Sequence, residues 1–505
     1  MPRLLLGPML RYVDDARATV WVETDGAATV EVLGRSAQTV EVEGHHYALV
    51  TVDGLAPGGT TAYDVRLDGR RVWPEPDCPL PTPVVRTLDP ARPLRVVVAS
   101  CRRLGPDPRR LGPDALRALA REVAGGAAAP DLLVLVGDQI YADKPPPGVP
   151  AARDYAGYAR IYRHAWSDPD VRWLLSTVPS ATVLDDHEVL PSWNCSADWV
   201  QRLHRRRSWR EQLTGALTAY AVYQHLGDLD PAALGEWLAD IRGGELAARV
   251  RDASWCHARE LPHARLVTLD VRGGRRLDER DRSMLAERDW AWLDRQLTGD
   301  VDHLLVVSSL PVLLLPAIAH GEAWAEALCA GRWGSAFALL GRLLRQLLGL
   351  EHWPAFGASF RRLAALTARV ATGERGRAPA TVLWLSGDVH YGYLAAASLD
   401  SSLDFSLDAQ RSRIWQVVSS PLRNHLPLPS KLLNRFGTTR LALASGSLLR
   451  WLAALPPFPV RWRVADGPVF GNQLAELTLV GSRADVVLRG VGRDGSLTPL
   501  LGRRL

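Results

Sequence analysis

Several things are scarce in this chain of 505 residues, and each scarcity narrows what it can be. No apolar run approaches the length of a bilayer span. The longest, near 310–319, is about ten residues and is broken by Pro311 and Pro316, where a spanning helix needs about twenty. Cysteine is sparse. Cys78, Cys101, Cys195, Cys256 and Cys329 are odd in number, widely scattered and form no CxxC pair, which argues against a disulfide framework. Lysine is almost missing: among 60 basic residues only Lys144 and Lys431 are lysines. Arginine bias of this kind reads as the codon usage of a GC-rich genome. A net charge of +5 over this length is too weak a field to indicate a nucleic-acid partner. The hydrophobic (47%) and charged (23%) shares exclude a disordered or fibrous chain. The opening MPRLLLGPML has too short an apolar run for a signal peptide and no small-residue cleavage site. The expected compartment is therefore the cytoplasm, unless the true start lies upstream.

What is present falls into two parts. Over the first ninety residues, ATVWVET, ATVEVLG, QTVEVEG, YALVTVDGL and TAYDVRLDG recur about ten residues apart, separated by Gly, Asp and Pro. That rhythm predicts an antiparallel β-sandwich over 1–89. The Pro-rich stretch 74–83 and Asp89-Pro90 lead out of it. From 90 to 505 the pattern becomes apolar runs between amphipathic stretches. The runs at 94–100, 131–138, 181–186, 264–272, 303–309, 381–388 and 414–420 predict strands buried on both faces. The fold class expected is α/β, with an α/β/β sandwich following the N-terminal β-sandwich. Helical insertions are expected near 195–260 and 316–375, and a terminal hairpin over AELTLVGSRADVVLRG.

Metal-capable residues gather where four of these strands end. The 94–100 run is followed by Cys101-Arg102-Arg103, and the 131–138 run ends in Asp138 with Tyr141 just beyond. The third gives Asp185-Asp186-His187-Glu188, and the fourth Asp388-Val389-His390. Ligand sites in α/β sheets lie outside the carboxyl ends of strands. Each placement alone is ordinary; four together point to one site. Asp138, on a tight turn after Gly137, can bridge two cations. Asp388 and His390, two apart on an extended chain, are placed to chelate. Carboxylates, an imidazole, a thiolate and a phenolate exceed what one tetrahedral ion needs, so two metals are expected, with Fe(III) favoured at the thiolate–phenolate position. Metals about 3.5–4 Å apart suit hydrolytic displacement at phosphorus. Arg102 and Arg103 can clamp phosphate oxygens. Asn424 and His425, after Ser419-Ser420-Pro421, are candidates for substrate contact. The basic cluster Arg202, His204 and Arg205–Arg207 reads as a solvated helix face.

The set Ala99-Ser100-Cys101, Gly137-Asp138-Gln139-Ile140-Tyr141, Asp185-Asp186-His187-Glu188 and Ser386-Gly387-Asp388-Val389-His390 resembles the motifs of the alkaline phosphatase D (PhoD-like) family, within the calcineurin-like metallophosphoesterases. Leu269-Asp270-Val271-Arg272 resembles its Asp-x-Arg stretch. The resemblance covers roughly 90–490 and implies a fibronectin-like fold for the sandwich before it. It implies a phosphatase acting on mono- or diesters of a small phosphoester substrate by attack of a metal-bound hydroxide. It implies that Cys101, Asp138 and Tyr141 bind Fe3+, that Asp138 bridges to a second ion, Ca2+ or else Zn2+ or Mn2+, and that Asp388 and His390 are late-motif ligands. Asp186 stands where the wider superfamily has Asn and would hold the second ion. His187 would donate a proton to the leaving alkoxide or polarise the phosphate. The His that many superfamily members carry after a middle strand is replaced here by Ser308 and Ser309. Rival readings are a non-catalytic scaffold on this fold, a nuclease using the same metals, and hydrolysis at a carbonyl or sulfate centre.

Overall fold

Runs of Val and Leu too apolar to face water on either side require a layer on each face, and that demand organises the chain beyond residue 90. A computed structural model describes residues 1–105, 108–400 and 410–505. Two mixed sheets stack face to face. The first has the order Ser180–Thr182, Leu132–Leu135, Leu94–Ala99, Gln473–Val480, Arg483–Val491, Leu497–Arg504. Its first three strands are parallel and its last three antiparallel. The second sheet runs His257–Leu261, Ala264–Leu269, His303–Ser308, Thr381–Ser386, Arg413–Val418, Gly392–Leu399, Val460–Val469, with four parallel strands in its middle. Between the sheets lies a dry layer that includes Val96, Val134, Leu305, Leu385 and Leu477. Helices cover the outer faces, giving the mixed α/β architecture expected. The C-terminal segment forms a hairpin as predicted, and a third strand, Leu497–Arg504, extends it.

The metal-capable strand ends therefore do not lie on one sheet. Leu94–Ala99, Leu132–Leu135 and Ser180–Thr182 belong to the first and Thr381–Ser386 to the second. A run buried on both faces by a sheet and a helix carries the same apolar pattern as one buried by two helices, so composition could not divide the strands between sheets.

The N-terminal strands form two four-stranded sheets around their own apolar layer, with a further two-stranded pair. The outer face of Leu4–Val13, Ala18–Thr24 and His45–Val52 packs on helices of the larger part: Leu6, Met9, Trp21 and Tyr47 share a cluster with Tyr155, Tyr162 and Tyr223. Polar contacts are equally specific. Trp21 Nε1 donates to the Val222 carbonyl at 2.9 Å, and the Tyr63 hydroxyl to Ser176 O at 2.6 Å. Arg11, 1% exposed, crosses to Asp228 at 3.3 Å and donates to Gln224 O at 2.7 Å. Asp228 also pairs with Arg259 at 2.8 Å and accepts the Thr182 N–H at 3.1 Å. Replacing Asp228 would strand two buried guanidiniums, a loss of about 3–5 kcal/mol.

His225 sits beside this network, edge-on to Trp255 at 5.1 Å and 6.2 Å from His257. Burial pushes its pKa down to about 3, and burial likewise lowers that of His257 to about 4. The unfolded imidazole titrates near 6.5, so below that pH the unfolded chain binds a proton that the folded one refuses. Stability contributed by neutral His225 is present above 6.5 and falls as pH drops toward 3, by up to about 1.4 kcal/mol per pH unit. His225→Phe removes that slope. Urea unfolding at pH 7 and pH 5 is expected to show wild type losing more stability than the variant.

Candidate metal centre

Four of the predicted ligands stand in left-handed backbone: Cys101 at φ 58°, Asp138 at 55°, Asp388 at 61° and His390 at 60°. Non-glycine residues adopt that region at a cost, and such strain collects where a side chain must be aimed. Gly137, at φ 82°, prepares one of these turns, and a Cβ there would lie 2.6 Å from Asp185 Cβ. The turns are fastened to one another. Cys101 N–H donates to Gly137 O at 3.2 Å and Arg102 N–H to Asp138 O at 2.9 Å. The buried Glu188 carboxylate accepts the N–H groups of Asp138 (3.1 Å), Gln139 (2.7 Å) and Asp185 (3.1 Å), locking two strand ends in register.

Asp138 is the hub. Its Oδ2 is 3.5 Å from Cys101 Sγ and 3.2 Å from the Tyr141 hydroxyl, and its Oδ1 accepts His187 N–H at 3.2 Å. Three groups of donor atoms, each converging within 4.8 Å, share it: with Cys101 and His390; with Asp186 and His187; and with Asp185, Asp186 and Asp388. The Tyr141 hydroxyl joins the first group, 3.3 Å from His390 Nε2. Asn424 Nδ2 donates to Tyr141 at 2.7 Å and lies 3.1 Å from the same nitrogen, so Asn424 belongs to this side of the cluster. His425 contributes its N–H, which holds Asn424 Oδ1 at 2.8 Å.

Asp388 and His390 part company. The Asp388-Val389-His390 segment is a turn with both ends left-handed, and it sends His390 to Cys101 and Asp388 to Asp186. The expectation that the pair chelates from an extended chain is corrected: left-handed residues at both positions swing the two side chains apart.

The electrostatics call for cations. Burial raises the pKa of Cys101, of Tyr141 and of Asp138, and neighbouring carboxylates add to each. Burial likewise lifts Asp185 to about 8. Burial works against a charged His187, but Asp186, Asp138 and Asp143 outweigh it and bring its pKa to about 10. Buried Asp185 Oδ2 and Asp186 Oδ1 have no hydrogen-bond partner among the described residues. Unpartnered buried carboxylate oxygens beside a thiol, a phenol and an imidazole form a donor set that fits bound metal, whose charge would reverse these upward shifts. A shared Asp138 fits two ions better than one.

Three partnerships are not foreseen in the sequence, although Arg272 stands within its Asp-x-Arg stretch. Arg272, fully buried, pairs with Asp185 at 2.6 Å and Glu351 at 2.5 Å and stands 3.7 Å from both Asp186 and Asp388. His352, from the stretch expected as a helical insertion, lies 3.3 Å from Asp388 Oδ2 and 2.7 Å from Glu322. Burial opposes a low pKa for Asp388, but His352 and Arg272 hold it well below the usual carboxylate range. Asp143 lies 2.6 Å from His187 Nδ1 and orients that ring. Asp143, two residues after Tyr141, and Arg272, in its Asp-x-Arg stretch, carried a local signal; His352 carried none.

Arg102 departs from its expected role. Its guanidinium, with the residue 2% exposed, pairs with Asp114 at 2.8 Å and donates to the Ala165 carbonyl. Its donors are engaged inside the fold, because the turn that aims Cys101 at Asp138 sends the next side chain the other way. It is not a phosphate clamp. Arg103 is half-buried with its Nε unpartnered. A cavity of about 680 Å³ is lined by Arg102, Asp114, Arg117 and Arg423 beside the cluster rather than over it.

The PhoD-like phosphatase family matches residues 96–445. The chain belongs to the PhoD-like phosphatase family. Residues 1–85 match a family described only as a domain of unknown function. Among solved structures, one described as that of PhoD is similar at 13% identity, covering 99% of this chain and 92% of that one, with a TM-score of 0.62. A purple acid phosphatase, PPD1 from yellow lupin (Lupinus luteus) seeds, is similar at 12% identity over 99% and 73% of the two chains, with a TM-score of 0.52. At such identities these likenesses show the fold alone. No curated protein matches the chain in sequence. Membership of this family, with the convergent Asp/His cluster, implies a metal-dependent phosphoesterase.

Proposed function

We propose that this PhoD-like phosphatase hydrolyses phosphate mono- or diesters at a two-metal site centred on Asp138. The observation that carries the reading is that three separate donor groups share that one carboxylate. In this reading Cys101, Asp138, Tyr141 and His390 hold one cation, Fe3+, and Asp138, Asp186 and Asp388 hold the second, Ca2+, with Zn2+ or Mn2+ as alternatives. When bound, such a pair supplies an activated water and neutralises phosphate charge. The protein's own groups do the rest. Asp143 fixes His187 through Nδ1, leaving Nε2 to protonate the leaving oxygen. Asn424 steadies Tyr141 and His390, and Arg103 offers a guanidinium to phosphate oxygens. Arg272 restrains Asp185 while standing between Asp186 and Asp388.

The test is metal analysis of the purified protein with its visible spectrum, alongside Tyr141→Phe. Phenolate on Fe(III) gives a charge-transfer band, so wild type is expected to be coloured and the variant to lose the band while retaining iron. A colourless, active protein holding zinc or manganese would overturn the iron assignment and leave the phosphoesterase. Protein that takes up no metal on reconstitution would overturn both and favour a non-catalytic scaffold.

A further inference from the structure

Helices of a water-soluble surface turn large apolar residues inward and small or charged ones outward. Three helices of this molecule do the reverse. The Ser335–Leu348 and Arg440–Leu452 helices both pack on the Pro316–Cys329 helix through small residues. A Cβ at Gly341 would lie 2.9 Å from Cys329 N, and one at Gly446 would lie 2.8 Å from His320 Cβ. Ala338 and Ala442 are buried at the same seams. The leucines face away: Leu343 and Leu347 on the first helix, Leu448 and Leu452 on the second, with Trp451 beside them 74% exposed. The Leu428–Phe436 helix has no buried residue at all. Its Leu428, Leu432 and Phe436, spaced four apart, form an apolar stripe with Leu433 alongside, and all are exposed. Isolated exposed leucines need no explanation, but contiguous apolar helix faces mark a surface that is covered in use.

Charge identifies the cover. From Arg423 to Ala465 the sequence has seven basic residues and no acidic one, and between Glu326 and Glu351 it has three basic residues and none acidic. Some of these arginines are neutralised by carboxylates from elsewhere, Arg342 by Asp198, Arg345 by Glu279 and Arg461 by Asp400. Lys431 and Arg435 have no carboxylate partner among the described residues. A second copy of this surface would set Lys431 and Arg435 against like charges, with no carboxylate on their own helix to neutralise them. A nucleic acid would meet leucines where it needs donors. Leucine, phenylalanine and tryptophan on one face with lysine and arginine at its margin is the composition of helices that lie in a bilayer interface, where anionic headgroups meet the cations and acyl chains the leucines. No helix here is long and apolar enough to cross a membrane, so contact would be peripheral.

We propose that the exposed apolar face of these three helices docks on an anionic lipid surface. The face adjoins the metal centre. The Leu428–Phe436 helix begins four residues after Asn424, and the Pro316–Cys329 helix carries Glu322, which meets His352. Docking is read without substrate, so the proposal stands apart from the phosphoesterase reading.

The experiment is flotation of the full chain with vesicles of phosphatidylcholine alone and of phosphatidylcholine mixed with phosphatidylglycerol. Wild type is expected to bind the anionic vesicles at least about tenfold better, and less well as salt rises. Leu432→Ser with Leu433→Ser, and separately Lys431→Glu with Arg435→Glu, should each cut binding roughly tenfold. Thermal melts should match wild type, since none of the four side chains is buried. Absence of wild-type flotation on anionic vesicles would overturn the proposal. So would equal binding to both vesicle types that the charge reversal leaves unchanged. A dimer that the leucine variant dissociates, without flotation, would assign the face to a second copy instead.

Discussion

Asp138→Asn is expected to fold, to bind neither metal and to lose activity by on the order of a thousandfold or more. The argument starts from the fold's indifference to the charge. Asp138 is buried among carboxylates that disfavour its ionised form, so a neutral amide of the same shape removes a repulsion. Its Oδ1 keeps an acceptor for the His187 N–H, now 3.2 Å away. What the amide cannot supply is a second anionic oxygen. Since each donor group includes Asp138, one substitution weakens every proposed ligand set at once. Metal content by atomic emission, measured with the melting temperature, checks this. A variant that still turns over substrate would remove the two-metal assignment.

His187→Ala is expected to separate chemistry from metal. As proton donor, His187 contributes about 10²–10⁴-fold, and its loss leaves the Cys101, Tyr141, His390 and Asp388 donors in place. The deficit should depend on the leaving group: large for alkyl phosphates, whose alkoxide needs a proton, and small for p-nitrophenyl phosphate, whose phenolate leaves unaided. Asp143→Asn should reproduce part of the alkyl-phosphate defect by releasing the ring from its 2.6 Å contact. His187 also falls within one donor group with Asp138 and Asp186. If metal content drops in parallel with turnover for both substrates, the ring is a ligand and not an acid.

How far these residues could be read in advance depends on the range of the forces placing them. Cys101, Asp138, Asp186 and Asp388 each follow an apolar strand directly, so strand periodicity put them at carboxyl ends and the α/β rule gathered them. The side to which each chain turns was not legible. Left-handed backbone at Asp388 and His390 aims them at different partners, and Arg102 enters the interior to meet Asp114 because Cys101 needs the opposite direction. Long-range pairings were hidden altogether. Arg272 meets Asp185 across 87 residues of sequence and His352 meets Asp388 across 36, and no local pattern encodes such distances. The outward leucines of LLGRLLRQLLGL lie in the insertion expected to be helical, but periodicity shows that a helix has an apolar face and not which way that face turns.

The buried Arg11–Asp228 pair gives the N-terminal sheets a part in the metal site. Asp228 accepts from Thr182, on the strand that leads to Asp186, so the first ninety residues brace a strand that ends in a candidate ligand. Cutting the chain at its Pro-rich junction would uncouple no spare module. It would leave Asp228 to neutralise Arg259 alone, open the tyrosine-lined seam around Trp21 to water, and loosen the ligand loop from behind. The segment matched only to a domain of unknown function is thus packed against the larger part as a buttress, through Trp21, Tyr63 and Arg11.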